Sequence, residues 1–252
     1  MKEWITGRNA VYEVLLARRR QIFRLQVAVG VEERGRLKEI LGLAEGDRVP
    51  VVRVPRPQLD ALGEGHQGVA LEVSEYPYVA VQDMLGLSKT RGEPLFVLAL
   101  DMIQNPQNLG TLLRSAEAVG VHGVVIPLAR AAGVTPAVVH ASVGASEHLL
   151  VAQANLAQAL RFFKDRADAW AVGLEGSERA RPIEQVRLGG ALVLVVGNEG
   201  EGMRLLVRKN CDVLMRLPMR GQIESLNAAV AGSVALYLAL QARSGSAASG
   251  QG

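Results

Sequence analysis

The polar side chains best placed to do chemistry fall in three loops, each following an apolar run. In DMIQNPQNLGTLLRSAEAVG, Asn108 stands at a Pro-Asn turn, and Thr111, Arg114 and Glu117 recur at spacings of three, so they share one face of the helix that follows. In ALVLVVGNEGEGM, a strand runs into a loop that carries Gly197, Asn198, Glu199, Gly200, Glu201 and Gly202. In LMRLPMRGQIESLNAAVAGSVALYLAL, the residues Leu217, Met219, Ser225, Leu226 and Asn227 lie where a loop runs into a long helix. Orphan backbone N–H groups converge at such a helix start. Each feature also has an ordinary structural explanation. Asn108 can cap its helix, Ser225 or Glu224 the later one, Arg114 can pair with Glu117, and the loop acids can be solvated.

The residue types exclude several chemistries. The glycine order after the second run is G-x-x-G-x-G, the reverse of the dinucleotide fingerprint, and its acids stand where phosphates would approach. A neutral or cationic cofactor suits it better, and a nucleotide-dependent oxidoreductase is disfavoured. Ser225 is not in a G-x-S-x-G elbow. Among His66, His122, His140 and His148 no metal-ligand spacing occurs, so no metal is expected.

These loops need a frame that brings them together. Hydrophobic residues make up 49% of the 252 positions and aromatics only 4%, with 27 glycines, as suits an α/β chain of aliphatic strands and tight loops. Residues 1–74 alternate helix and strand: helices over Asn9–Ala17, Glu32–Leu43 and Pro57–Leu62, strands over Phe23–Val29, Val49–Val54 and the VALEV segment. The pattern weakens over residues 75–92, which read as a linker, with Val79–Leu87 as a linker helix or strand rather than free coil. From residue 93 to 243 the elements lengthen. Strands at Leu95–Leu100, Gly123–Ile126, Ala169–Leu174 and Ala191–Val196, apolar on both faces and separated by helices, predict a mostly parallel sheet covered on both sides. The helix from Leu226 has apolar residues on every face and is predicted to be buried nearly all round. Residues 244–252 read as a disordered tail.

The net charge of +3 permits an acidic partner without requiring one. The consecutive Arg18, Arg19 and Arg20, with Arg8 nearby, suit either a solvated helix end or contacts to RNA phosphate. A single cysteine, Cys211, allows no internal disulfide. The opening MKEWITGRNAVYEVLLARRR has no uninterrupted apolar region, and no uncharged apolar run reaches about 18 residues, so a cytoplasmic, non-membrane protein is expected.

Taken together and in this order, NPQNLGTLLRSAEAVG, LVVGNEGEGM and LPMRGQIESLNAAVAG resemble the three motifs of the SpoU branch of the SPOUT RNA 2′-O-methyltransferases. The segment ASVGASEHLLV is similar to the family's intervening stretch. Residues 5–73, from ITGRNAVYEVL to HQGVALEV, resemble the N-terminal RNA-binding domain of rRNA-modifying members, a fold related to kink-turn-binding ribosomal proteins. The resemblance implies a parallel-sheet α/β SPOUT domain with a C-terminal trefoil knot, preceded by a small α/β RNA-binding domain.

It further implies S-adenosylmethionine as cofactor, held by Gly197, Asn198, Glu199, Gly202, Leu217, Met219, Ser225, Leu226 and Asn227. The implied catalytic set is Asn108, Arg114, Glu199, Ser225 and Asn227, and Arg8, Arg18, Arg19, Arg20 and Arg114 would meet RNA. A homodimer acting on a guanosine ribose of large-subunit rRNA is the expectation. A tRNA substrate, or a non-catalytic RNA-binding protein on the same fold, stays open. The sequence departs from the family at Asn105, where an acid is common, and at Ala228-Ala229, where bulkier or hydroxyl residues are common.

Overall fold

A computed structural model describes residues 2–223 and 225–248. The chain runs β1 (Lys2–Thr6), α1 (Arg8–Ala17), β2 (Ile22–Ala28), α2 (Arg36–Gly46), β3 (Val51–Val54), α3 (Arg56–Asp60) and β4 (Val69–Ser74). It continues through α4 (Val81–Arg91), β5 (Phe96–Leu100), α5 (Pro106–Ala118), β6 (Gly123–Ile126), α6 (Pro136–Ala141), β7 (Val151–Gln153), α7 (Leu156–Ala167) and β8 (Trp170–Leu174). The last elements are β9 (Arg181–Pro182), β10 (Leu192–Val196), α8 (Leu205–Lys209), β11 (Val213–Arg216) and α9 (Ala228–Ala248).

The chain divides into two compact units: Met1–Pro77 with Val134–His148, and Tyr78–Gly133 with Leu149–Gly252. The first unit holds a four-stranded mixed sheet in the order β1-β4-β2-β3. Its β2 and β3 are parallel and the other pairs antiparallel. Val134–His148, which the sequence reading kept with the later domain, joins this unit: α6 packs on β1, and the 3₁₀ turn Ala145–His148 packs on α1. The tie is polar and buried. The Arg20 guanidinium, with no side-chain exposure, donates to both carboxylate oxygens of Glu147 at 2.9 and 2.8 Å and to Glu3 at 2.8 Å. Tyr76, 5% exposed, donates its hydroxyl to the Ser146 carbonyl at 2.9 Å.

The second unit is built on a seven-stranded sheet in the order β7-β6-β5-β10-β8-β11-β9, parallel at every pairing. Burial on both faces explains why β5 (FVLAL) and β10 (LVLVV) are apolar throughout. Alternate residues Val97, Ala99, Val193 and Val195 point into a core with Met84 of α4, Phe163 of α7 and Val207 of α8. On the other face α5 packs against α9, and Gly232 lets the two approach: a Cβ there would stand 2.5 Å from Leu112 Cδ2 and 3.3 Å from Val196 Cγ2. Residues 75–92, read from the sequence as a linker, contain α4, whose Met84 is fully buried.

Two sequence expectations about α9 need correction. The helix is not buried all round: Val230, Val234 and Tyr237 are 49, 42 and 50% exposed and form one stripe. It also continues through Ser244–Ala248, the start of the expected disordered tail; residues 249–252 lie outside the described residues.

Candidate active site

Strand register brings the three loops to one edge of the sheet. Val196 at the end of β10 stands opposite both Leu100 of β5 and Leu174 of β8, and Leu174 stands opposite Met215 of β11. The loops after β5, β8, β10 and β11 therefore leave the same carboxyl edge, where ligands of parallel sheets gather.

At that edge one carboxylate oxygen collects donors from two other segments. Glu199 Oε1 accepts from Asn108 Nδ2 at 2.9 Å and from the backbone N–H of Ala228 at 3.1 Å, and also from Asn227 Nδ2. Asn227 Nδ2 lies 3.1 Å from Asn108 Oδ1 as well, closing a triangle. Local sequence explains each position. Asn105, not Asn108, caps α5, its Oδ1 accepting from Gln107 N at 2.8 Å ahead of Pro106 in the first turn, which leaves the Asn108 amide to reach across to Glu199. Asn227, not Ser225, caps α9, its Oδ1 accepting from Ala229 N at 3.0 Å and Val230 N at 3.2 Å. Glu224 lies outside the described residues.

Backbone packing holds the Glu199 loop. Asn198 and Gly202 pair through N–H···O bonds of 3.2 and 3.0 Å, and Asn198 Oδ1 accepts from Gly200 N at 2.8 Å. Gly197 has to be glycine, because a Cβ there would meet the Gly202 carbonyl carbon at 2.5 Å. Asp101, fully buried just past β5, fixes the far end of the loop. Its carboxylate accepts from Arg204 N at 2.7 Å and from the Arg204 guanidinium at 2.8 Å. Sequence reading passed over Asp101 and Arg204. The signal for Asp101 was an acid directly after an all-apolar strand, a position that needs a buried partner.

Beside this loop lies a cavity of about 410 Å³. Its walls include Gly197, Asn198, Glu199 and Gly202 from one loop and Leu217, Met219, Ser225 and Leu226 from another, with Leu174 and Val196 from strand ends. Of the residues anticipated as cofactor contacts, Asn227 alone is not in the wall; it lies in the Glu199 cluster. The cavity is rich in acid: Glu175, Glu199 and Glu201 line it, and Arg208, the one cation in its wall among the described residues, is paired with Glu175 at 2.8 Å.

The remaining anticipated residues are distributed as follows. Arg114 is exposed on α5 and makes no hydrogen bond or ion pair among the described residues, so the Arg114–Glu117 pair does not form. Ser225 is exposed at the cavity wall and takes no part in the Glu199 hydrogen bonds. In the first unit Arg8 donates to the side-chain and backbone oxygens of Gln67, and Arg18 makes a two-point pair with Asp47 at 2.9 and 2.7 Å. Arg19 stacks over Tyr76, 5.4 Å from the ring centre. Arg20 is a correction: its guanidinium is enclosed by Glu147 and Glu3 and cannot reach a phosphate. Among the described residues no cluster of three or more His, Cys, Asp or Glu could hold a metal, and no helix is long and apolar enough to cross a membrane.

Residues 95–237 match the SpoU rRNA Methylase family, and residues 4–79 match the family for RNA 2′-O ribose methyltransferase substrate binding. The TrmH-family protein YacO of Bacillus subtilis is 39% identical over 237 residues, covering 93% of this chain and 94% of YacO. The 23S rRNA (guanosine-2′-O-)-methyltransferase RlmB of Pseudomonas putida is 39% identical over 246 residues, 96% of this chain and 97% of RlmB. Among solved structures, the SpoU methyltransferase AviRb of Streptomyces viridochromogenes, crystallised with AdoMet, superposes with a TM-score of 0.79 over 95% of this chain and 89% of its own, at 24% identity, a likeness of fold. The A. aeolicus TrmH/SpoU tRNA modifying enzyme aligns over 61% of this chain and 77% of its own, with a TM-score of 0.54 and 27% identity. A parallel sheet whose carboxyl edge gathers the three motif loops, together with matches spanning both units, makes this chain a member of the SpoU rRNA methylase family.

Proposed function

We propose that this protein is an S-adenosylmethionine-dependent RNA methyltransferase that methylates the 2′-oxygen of a guanosine ribose in large-subunit rRNA. The observation that carries the reading is the Glu199 cluster. Asn108, Glu199 and Asn227, far apart in sequence, are bonded to one another at the rim of a cavity whose chemistry suits the cofactor. That cavity combines apolar side chains for an adenine, loop backbone for polar contacts and an excess of carboxylates for a cationic sulfonium and ammonium. Phosphate would be repelled there.

When bound, the cofactor supplies an electrophilic methyl group. The chain's own part is alignment and charge. Glu199 is locked through Oε1 and leaves Oε2 without a partner among the described residues, so it can receive a donor from an incoming ligand. Arg114, exposed and unpaired among the described residues, can hold a phosphate and favour negative charge developing on the ribose oxygen. It does so as a cation, since a guanidinium keeps its proton near neutral pH. Fixed in-line geometry supplies the rest of the acceleration.

The rRNA choice is supported by the substrate-binding match over residues 4–79 and by RlmB, which is similar over 96% of this chain, whereas the tRNA modifying enzyme aligns over 61%. The exposed Val230, Val234 and Tyr237 stripe supports a homodimer. A cytoplasmic location goes with an rRNA substrate.

The test is methyl transfer from labelled S-adenosylmethionine to unmodified rRNA and tRNA pools, followed by nuclease digestion. Label in 2′-O-methylguanosine from rRNA is the expected result. Label confined to tRNA would move the substrate, and cofactor binding without transfer to either pool would favour an RNA-binding protein. Arg114→Ala and Asn108→Ala are expected to abolish transfer. Arg114→Ala should change stability by no more than about 0.5 kcal/mol, because the side chain is exposed; full activity in both variants would overturn the residue assignment.

A further inference from the structure

The Gly197–Arg204 stretch borders two cavities of opposite character. The one already described is lined by acids. The other, of about 300 Å³, lies between α8 and the loops that follow β6 and β7. Leu128, Arg130, Asn155, Arg204 and Leu206 contribute to its walls, and among the described residues no Asp or Glu does. Leu128 and Leu206 are 71 and 56% exposed, which is unusual for two leucines facing one concavity. The two guanidiniums differ in kind. That of Arg204 is clamped by the buried Asp101, so its plane is fixed. That of Arg130 is exposed and makes no hydrogen bond or ion pair among the described residues. The loop carrying Arg130 is tied to the loop after β5, Ala132 N donating to the Ile103 carbonyl at 2.9 Å, and the loops after β6 and β7 leave the same carboxyl edge of the parallel sheet as the loops that hold Asn108 and Glu199.

Apolar walls, a fixed guanidinium plane, a free cation and a side-chain amide together suit a planar base attached to a phosphate. RNA presents that chemistry where a nucleotide is unstacked, and proteins read such nucleotides by stacking on apolar or guanidinium planes and by contacts to base edges and phosphate. The volume is at the small end for ligand sites and too small for a duplex. We infer that this cavity holds one unstacked nucleotide of the substrate RNA, a neighbour of the one that is methylated. Arg130 meets its phosphate, and Leu128, Leu206 and Arg204 bracket its base. The inference rests on the RNA methyltransferase reading.

Its test is binding, so that it stands apart from turnover. The full chain, Arg130→Ala and Leu128→Asp are compared for retention of an rRNA fragment over a range of salt, with S-adenosylmethionine affinity measured alongside. Arg130→Ala should weaken RNA binding about five- to tenfold and reduce the salt slope by about one, as loss of a single phosphate contact does. Leu128→Asp should weaken RNA binding at least as much, and cofactor affinity should stay unchanged in both. Fragments carrying 4-thiouridine should crosslink to peptides containing residues 128–130 or 204–207. Wild-type RNA affinity and salt slope in both variants would overturn the inference. So would a change of sedimentation in Leu128→Asp with RNA affinity intact, since the cavity would then be a protein interface. Failure of methyl transfer with these RNA effects preserved would count against the enzymatic reading alone.

Discussion

Asn227 does two jobs with the two ends of one amide. Its Oδ1 caps α9, and its Nδ2 reaches Glu199 and Asn108. Substitutions can separate these jobs. Asn227→Ser keeps a good cap but is too short to reach the carboxylate, whereas Asn227→Ala loses both functions. Thermal unfolding should therefore find Asn227→Ala less stable by about 1 kcal/mol and Asn227→Ser nearly unchanged. Methyl transfer should fall on the order of 100-fold in both, as when a preorganised hydrogen-bonding group is removed from an active site. Equal activity in Asn227→Ser and the unaltered protein would mean that the link to Glu199 is structural only. Sequence alone named Asn227 and Asn108 for the site yet gave their capping roles to the wrong residues. Pro106 in the first turn marks Asn105 rather than Asn108 as the cap of α5, whereas Ser225 and Asn227 are both good caps and only the tertiary structure distinguishes between them.

At the scale of elements, the Glu199 loop depends on how closely its two ends approach. Gly197→Ala places a methyl group against backbone that has no rotamer to yield, so the Asn198–Gly202 pairing should open. The measurable result is a loss of S-adenosylmethionine affinity with the melting temperature little changed, since the loop adds few residues to the core; unaltered affinity would show that the loop tolerates the shift. The strands that frame this loop were legible in the sequence because β5 and β10 are buried on both faces and so are apolar throughout. β1 was missed because KEWIT has a single fully buried residue, Ile5, and no clean alternation. β7, β9 and α8 have three, two and five residues, too few for a period to emerge. The 21-residue α9 was found but judged buried on every face, because apolar content in a sequence does not reveal which face is left uncovered. That uncovered stripe gives a direct test of the proposed dimer. Val234→Glu should shift sedimentation from dimer to monomer, while a dimer that persists would place the interface elsewhere.

For the molecule as a whole, strand order and the grouping of distant segments were the least legible features, because both depend on contacts between residues far apart in the chain. The order β5-β10-β8 follows from the pairing of residues roughly 20 to 100 positions apart, which no local pattern encodes. Likewise Arg20, read as one of three surface cations, is buried because Glu147, 127 residues later, returns to meet it. Tyr76 belongs to the same cluster and makes the grouping testable by pH. Burial pushes its phenol from 10 up to about 12, against the opposing pull of Arg19. The folded unit therefore keeps a proton that the unfolded chain begins to lose near pH 10. Stability from this source is complete below pH 10 and declines as pH rises toward 12, by on the order of 3 kcal/mol at most. Urea unfolding of the full chain, with Trp170→Phe so that Trp4 reports on the first unit, should show that decline between pH 10 and 12. In Tyr76→Phe the slope should be shallower, because the remaining tyrosines contribute equally to both proteins. If the two slopes coincide, the Tyr76 phenol is not shielded by Val134–His148 in solution, and the union of that segment with the N-terminal unit is wrong.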